Sequence, residues 1–352
     1  MSNKIINGQF FTTTNPFTLV PFLMWLEAIP EVIKKETAIL EPFAGANNIP
    51  AMFSGLDLLT DNWACFDIDP PKTNNYSKSI VTQRDTIKDF PTGYKLSITN
   101  PPYLGKTSAA TKKLPFPDTK YDDLYKVCLE RLLNNVDYVA AIIPETFIIS
   151  GEFVDRLDTV ISLTCKMFDD TKCPVCLALF NPTVTSTFKI YRMNTFLGTQ
   201  EELKSYIPKP FLNHSWKIND PHGIIGIKCV DGNDGPSVRF CRGDEIASSK
   251  IKISSRSETR VSGLYDDINI DLFISTCNKI LNEYRANTED AFMAPFKNLR
   301  KDMKYRRRLD FATAKLIMSK AVEELTKSSY LEHKKISNEV GYQVFDLFKQ
   351  SK

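Results

Sequence analysis

Leu96-Ser97-Ile98-Thr99-Asn100-Pro101-Pro102-Tyr103 decides how this chain folds. Four residues of a buried-strand candidate run into a side-chain amide, two prolines and an aromatic ring. Paired prolines are excluded from a helix interior, so the stretch reads as a strand that ends in a rigid loop. Such a loop holds the Asn100 side-chain oxygen and the Pro101 backbone carbonyl side by side as acceptors. Together they suit an exocyclic amino group, which brings two N–H donors, and Tyr103 offers a face for a planar base.

Upstream lie further strand candidates with polar ends. Ala38-Ile39-Leu40 leads into Glu41-Pro42-Phe43-Ala44-Gly45-Ala46-Asn47-Asn48, a turn of small residues. A strand entering such a turn is how doubly wound α/β sheets open a nucleotide crevice at their carboxyl ends. Gly45 permits close backbone approach, and Asn47 tolerates a left-handed conformation. Ala64-Cys65-Phe66-Asp67-Ile68-Asp69 is a second strand, ending in a carboxylate about twenty residues on, the spacing that suits ribose hydroxyls. Ser79-Ile80-Val81 leads to Arg84-Asp85. Each acidic residue alone reads as a solvated loop charge. Glu41, Asp67, Asp85 and Asn100 on successive strand ends read as a site.

This order of motifs resembles the gamma group of DNA amino-methyltransferases, which use S-adenosylmethionine. The resemblance covers roughly residues 1–190. It implies a class I methyltransferase (Rossmann-like) α/β sheet, followed by a mixed α+β target-recognition domain. The division expected is 1–194 for the catalytic domain and 195–352 for recognition of DNA. Asn7-Gly8-Gln9-Phe10-Phe11-Thr12-Thr13 is similar to the family's opening segment, which folds over the methionine end of the cofactor. The cofactor contacts implied are Phe11, Thr12, Glu41, Phe43, Gly45, Asp67, Ile68, Asp85 and Asn100. The catalytic loop implied is Asn100, Pro101, Pro102 and Tyr103. Phe168, ahead of the strand Cys176–Phe180, stands where the family places an aromatic that stacks on the extruded base; its alternative is a core phenylalanine. Asn47 departs from the pattern, replacing the second glycine of the cofactor loop.

The implied reaction is methylation of adenine N6 in a base flipped out of double-stranded DNA. Cytosine N4 is the alternative within the same chemistry, although that group usually has Ser at the Asn100 position. RNA or a glutamine side chain poses a similar geometric problem, and a DNA-binding protein with an inactive methyltransferase fold is a further reading. A companion restriction endonuclease, where one exists, would act as a separate protein. A monomer is the default expectation, since a hemimethylated site needs one catalytic centre.

Charge adds a second theme. Net charge is +3 with a pI near 8.3, mildly basic rather than extreme. Lys297, Arg300, Lys301, Lys304, Arg306, Arg307 and Arg308 crowd one segment with Tyr305 among them. A solvated face is the bland reading. Beside a base-modifying motif, phosphate contact through Lys304, Arg306, Arg307 and Arg308 is the functional one. The basic stretch Leu104–Pro115, with Lys106, reads either as a disordered surface loop or as a mobile segment that closes over the nucleotide. Cys173-Pro174-Val175-Cys176 has zinc-knuckle spacing without a second pair, so no metal is expected. His214, His222 and His333 fall outside the motifs. No apolar run approaches a membrane span, and with no apolar signal core a cytoplasmic location is expected.

Helices are expected at Tyr121–Leu133, Asp271–Tyr284 and Asp310–Leu325. Short strands are expected at Tyr138–Pro144, Cys176–Phe180, Thr187–Arg192, Ile224–Val230, Ser237–Cys241 and Ile251–Ser254.

Overall fold

The computed structural model describes residues 14–164, 167–168, 173–210 and 214–327. The opening segment with Phe11 and Thr12 lies outside the described residues, as does His333. Two compact units divide the chain: Met1–Leu203 with Lys297–Tyr305, and Lys204–Phe296 with Arg306–Lys352.

In the first unit, nine strands form one sheet. They are β1 Ile39–Glu41, β2 Trp63–Asp67, β3 Val81–Gln83, β4 Leu96–Thr99, β5 Tyr138–Pro144, β6 Leu157–Leu163, β7 Val175–Phe180, β8 Lys189–Arg192 and β9 Thr195–Thr199. Their order is β3-β2-β1-β4-β5-β7-β6-β8-β9. Strands β1 to β5 run parallel, while β7 is antiparallel to both β5 and β6. It is an open α/β sheet, parallel from β1 to β5, reversed at β7 and extended by β8 and β9. Chain order reverses between β1 and β4, and the carboxyl ends of strands at such a point frame a crevice.

The inner strands are apolar because both faces are covered. From Val139 to Pro144, and through all of β7, every residue is buried. Between β4 and β5 runs the helix Leu124–Asn135, in which Leu124, Val127, Cys128 and Leu132 are buried as the sequence pattern anticipates. Arg156 locks this layer, donating from Nε to Asn181 O at 2.7 Å and from its terminal nitrogens to Leu133, Val136 and Asp137 carbonyls. Beneath β1 and β2, Phe17, Phe22, Phe53 and Trp63 form an aromatic cluster.

Two expectations in this unit are corrected. The strand expected at Ser79–Val81 lies at Val81–Gln83, because Ser79 O is taken by the Asn47 and Asn74 side chains. Lys106–Lys112 is a helix, not a disordered loop. Ala109 is fully buried against Leu104, Leu124, Leu114 and Phe116, which anchors the turn.

The second unit holds a four-stranded antiparallel sheet, β10 Lys217–Ile218, β13 Glu258–Ser262, β11 Ile225–Lys228 and β12 Arg239–Arg242, in that order. Ile251–Ser254 forms no strand; the third long strand is β13, whose alternating burial is carried by Thr259 and Val261. The helix Ile270–Thr288 packs on β12, with Asn278 bonding both the N–H and the carbonyl of Phe240 at 2.9 Å. A further helix covers 311–327. Strands β14 Ala294–Leu299 and β15 Tyr305–Arg308 pair with each other through the turn at Arg300–Lys304. No described helix is long and apolar enough to cross a membrane.

Asp231 organises this unit. Its carboxylate accepts from both terminal nitrogens of Arg285 at 2.9 Å, from Ser237 N at 2.8 Å and from Arg307 N at 3.1 Å. Arg285 also donates to both oxygens of Asp290. Against the burial that opposes it, this set of donors holds the Asp231 carboxyl well below the usual range. Removing Asp231 takes from the buried Arg285 one of its two carboxylate partners and strips Ser237 N and Arg307 N of their acceptor. Asp231→Ala is therefore expected to lower unfolding free energy by about 3–5 kcal/mol in urea titration at pH 7. A loss below about 1 kcal/mol would contradict this account.

Candidate active site

Four strand ends meet at the switch point. At the end of β1, Glu41 is 1% exposed. Its Oε1 accepts from Thr99 Oγ1 at 2.6 Å and from Phe43 N at 2.9 Å, so β4 and the loop after β1 share one oxygen. Its Oε2 is buried without a hydrogen-bond partner among the described residues. Burial is the main cause that pushes the Glu41 carboxyl up to about 8; nearby Asp67 adds to it, and the two hydrogen bonds oppose it. Ser97 Oγ donates to Leu40 O at 2.9 Å, and Thr86 Oγ1 to Pro42 O at 2.9 Å. Polar side chains on β4 and after β3 thus brace the β1 loop.

Asp67, at the end of β2, is turned onto the same loop. Its Oδ2 accepts from Gly45 N and its Oδ1 from Asp69 N, each at 2.9 Å. Next to it, Ile68 is 48% exposed, an apolar side chain on the rim of the crevice. Asp85 follows β3, bonds Lys88 and caps a short turn. Phe43 is half-buried between these groups.

Asn47 explains how the loop does without its second glycine. It adopts a left-handed conformation at φ 60°, and Gly45 does so at 49°. The Asn47 Nδ2 donates to Asn74 Oδ1 and Ser79 O, each at 3.0 Å. Asn75 completes the clamp, from its backbone N to Ala46 O at 2.8 Å and from its side chain to Asn48 at 2.6 Å. Sequence reasoning missed the segment Asn74–Ser79; the doubled Asn-Asn pairs at 47–48 and 74–75 are its only signal. Asn47 Oδ1 is a second buried acceptor without a partner.

At the end of β4, Asn100 is half-buried and Tyr103 buried. The Tyr103 Oη lies 2.5 Å from Asn100 Oδ1 and 2.6 Å from Ile142 O on β5. Burial pushes the phenol well above its ordinary value. Asp123, also missed from sequence, anchors the exit of this loop: it accepts from Leu104 N at 3.1 Å and caps the following helix. Desolvation raises its pKa.

Phe168 is 1% exposed and meets Tyr103 edge to face, with centroids 6.1 Å apart and planes at 74°. The two rings leave no parallel slot between them, so the stacked pair expected for a flipped base is not formed in this arrangement.

The basic segment is corrected in part. Arg307 is 2% exposed and its guanidinium donates to Met293 O at 3.4 Å, so it offers nothing to a phosphate. Arg300, equally buried, pairs with Asp302. Arg306 donates to Asp231 O at 2.6 Å and lies over the Phe296 ring. Lys304, Arg306 and Arg308 are half-buried, while Lys106 is exposed. Cys176 is buried in β7, and among the described residues no three His, Cys, Asp or Glu side chains gather as a metal site. His214 packs on Trp216 and Tyr265 in the second unit.

Two buried oxygens without donors, a close-approach glycine and an exposed isoleucine fit a polar, cationic, partly aromatic ligand. An ammonium or sulfonium group near Oε2 would draw the proton from Glu41, and its carboxylate would then pair with it. S-Adenosylmethionine has those groups.

No protein-family model and no curated protein matches the sequence. Among solved structures, the chain is similar to the methyltransferase subunit of a type I restriction-modification system from Streptococcus thermophilus. That overlap has 15% identity and a TM-score of 0.36, covering 51% of this chain and 47% of that one. It is similar to the M protein of the type I restriction enzyme EcoKI at 14% identity and TM-score 0.36, over 53% and 48% of the two chains. A DrdV–DNA complex gives 14% identity and TM-score 0.42, over 55% and 28%. The chain spans about half the length of the first two proteins and less of the third. The fold assignment stands on the strand order and directions described above.

Glu41 makes stability depend on pH. Its unfolded carboxyl ionises near 4.5 and its folded one near 8, so its contribution is whole below pH 4.5 and falls as pH rises to 8. Glu41→Gln keeps the shape of the neutral acid. Without ligand, it is expected to match the parent near pH 5 and exceed it by roughly 3–5 kcal/mol at pH 8.5. Urea titrations at both pH values decide this; a difference that does not widen with pH would refute it.

Proposed function

We propose that the chain is a DNA methyltransferase that moves a methyl group from S-adenosylmethionine to the N6 amino group of an adenine turned out of a duplex. The observation that carries this reading is the placement of Asn100-Pro101-Pro102-Tyr103 at the end of β4, tied through Thr99 to the buried Glu41 at the end of β1. A base-handling loop and an acceptor-lined nucleotide crevice thereby share one switch point.

Glu41 and the backbone around Gly45 would hold the methionine end, Asp67 the ribose and Ile68 with Asp85 the adenine. When bound there, the cofactor supplies a methyl group already activated on its sulfonium. The protein's task is alignment and exclusion of water. An aromatic amine shares its lone pair with the ring and is a poor nucleophile. Asn100 Oδ1 and Pro101 O, accepting its two hydrogens, favour a pyramidal nitrogen and stabilise the positive charge that develops there. No tuned base is required, which agrees with the absence of histidine from the described crevice. Release of the adenine from the stack brings it to Tyr103, and the edge of Phe168 must turn for the rings to sandwich it. Asn at position 100, where Ser would suit cytosine N4, favours adenine. Lys106, Lys304, Arg306 and Arg308 are each a candidate phosphate contact, acting in salt-dependent binding. A cytoplasmic monomer is the working form in this reading.

Mixed-sequence duplex DNA incubated with the protein and methyl-labelled S-adenosylmethionine, digested and resolved as nucleosides by mass spectrometry, tests it. Labelled N6-methyladenine is expected. Labelled N4-methylcytosine would overturn the base assignment, and an unlabelled digest with cofactor binding intact would overturn the substrate. Asn100→Ala is expected to reduce turnover by about 100- to 1000-fold while cofactor affinity holds within about twofold. Turnover equal to the parent would refute the mechanism.

A further inference from the structure

Tyr103 has a single hydroxyl hydrogen, yet its Oη stands within hydrogen-bond distance of two carbonyl oxygens, Asn100 Oδ1 at 2.5 Å and Ile142 O at 2.6 Å. One hydrogen cannot serve both along good lines, and the second pair of oxygens is then repulsive. The Asn100 carboxamide offers a resolution, because its oxygen and nitrogen ends have nearly the same shape: a half rotation, with the contact lengthened by a few tenths of an ångström to suit an N–H donor. Turned by half a rotation, Nδ2–H donates to Tyr103 Oη, and Tyr103 O–H donates to Ile142 O.

We infer that the Tyr103 hydroxyl is a positioning group for Asn100, seating the carboxamide with Nδ2 on the phenol and Oδ1 turned away from it. The anchor is rigid. Ile142 lies in β5, paired with Leu177 of β7, and the Tyr103 ring is held edge-on by Tyr125 and Phe168. The buried phenol keeps its hydrogen across the working pH range. This hydrogen-bond chain is a different role for Tyr103 from its ring's contact with a base.

The catalytic consequence rests on the function proposed above. An amino group arriving at Asn100 brings donors, so a carboxamide presenting Nδ2 would meet it donor to donor. Only the orientation selected by the phenol supplies the acceptor. Tyr103→Phe keeps the ring and removes the selection.

Nuclear magnetic resonance tests the arrangement without reference to activity. In protein deuterated except at tyrosine rings and exchangeable sites, the Asn100 Nδ2 hydrogens are assigned by their loss in Asn100→Asp. Cross-peaks from them to the Tyr103 Hε protons are expected. An assigned pair with no such cross-peak would overturn the inference. Single-turnover methylation supplies the second arm. Tyr103→Phe is expected to slow transfer by about 10- to 100-fold with melting temperature and cofactor affinity unchanged. In the Asn100→Asp background, where both oxygens are alike, the same change is expected to remove nothing more. A Phe variant as fast as the parent, or an equal further loss in the Asp background, would overturn the positioning role. A parent that methylates no DNA refutes the proposed function instead, and leaves the cross-peaks to decide the hydrogen-bond chain.

Discussion

Thr99 Oγ1 donating to Glu41 Oε1 at 2.6 Å joins the last residues of β4 and β1, and the rest of the crevice depends on that bond. A doubly wound parallel sheet buries its inner strands completely, so polar groups at their ends must find partners from one another rather than from water. Here Glu41 gathers Thr99 and Phe43 on one oxygen, Asp67 gathers Gly45 and Asp69, and Ser97 and Thr86 close on backbone carbonyls of the β1 segment. The loop after β4 and the loop after β1 are therefore parts of one bonded framework. What the framework leaves over is Glu41 Oε2 and Asn47 Oδ1, both buried without a hydrogen-bond partner among the described residues.

The same framework explains how an asparagine sits in a left-handed position. A left-handed residue in a cofactor loop is normally glycine because a side chain there is strained or in the way. Asparagine reaches that conformation at lower cost than other side chains. In this chain its amide is absorbed by Asn74 and Ser79 O, and Asn75 secures the neighbouring backbone. The segment between β2 and β3 braces the loop and fixes its backbone path.

Much of the first unit was legible because its signals are local. Apolar runs ending in Glu41, Asp67 and Asn100 located β1, β2 and β4, and Tyr138–Pro144 matched β5 residue for residue. Less local features were hidden. The clamp at Asn74–Ser79 works through partners about thirty residues away, which no local pattern announces. Strand β13 reads Glu-Thr-Arg-Val-Ser and buries Thr259 beside one apolar residue, Val261, too weak an alternation to announce a strand. Lys106–Lys112 has the composition of a loop, and its helix is fixed by Ala109 reaching a small apolar cluster. Phe168 was legible as an aromatic beside the motif, but its edge-on seat against Tyr103 is a tertiary fact.

The basic segment shows most clearly how charge misleads when read as a sum. Along β15, Tyr305 and Arg307 are buried while Arg306 and Arg308 are half-buried, the period-two alternation of a strand, and Leu309 just beyond it is buried in turn. Successive arginines conceal that alternation, because the inward and outward residues are alike. The inward course is set by Asp231, seventy-six positions before Arg307, whose carboxylate accepts the Arg307 N–H and whose backbone carbonyl accepts Arg306. A buried acid braced by Arg285 thus pulls part of a cationic run into the interior, where it sets the hairpin's register. Any electrostatic attraction of a polyanion falls to the members that remain at least partly exposed. Their field is weaker than the seven-residue count suggests, in keeping with a net charge of only +3.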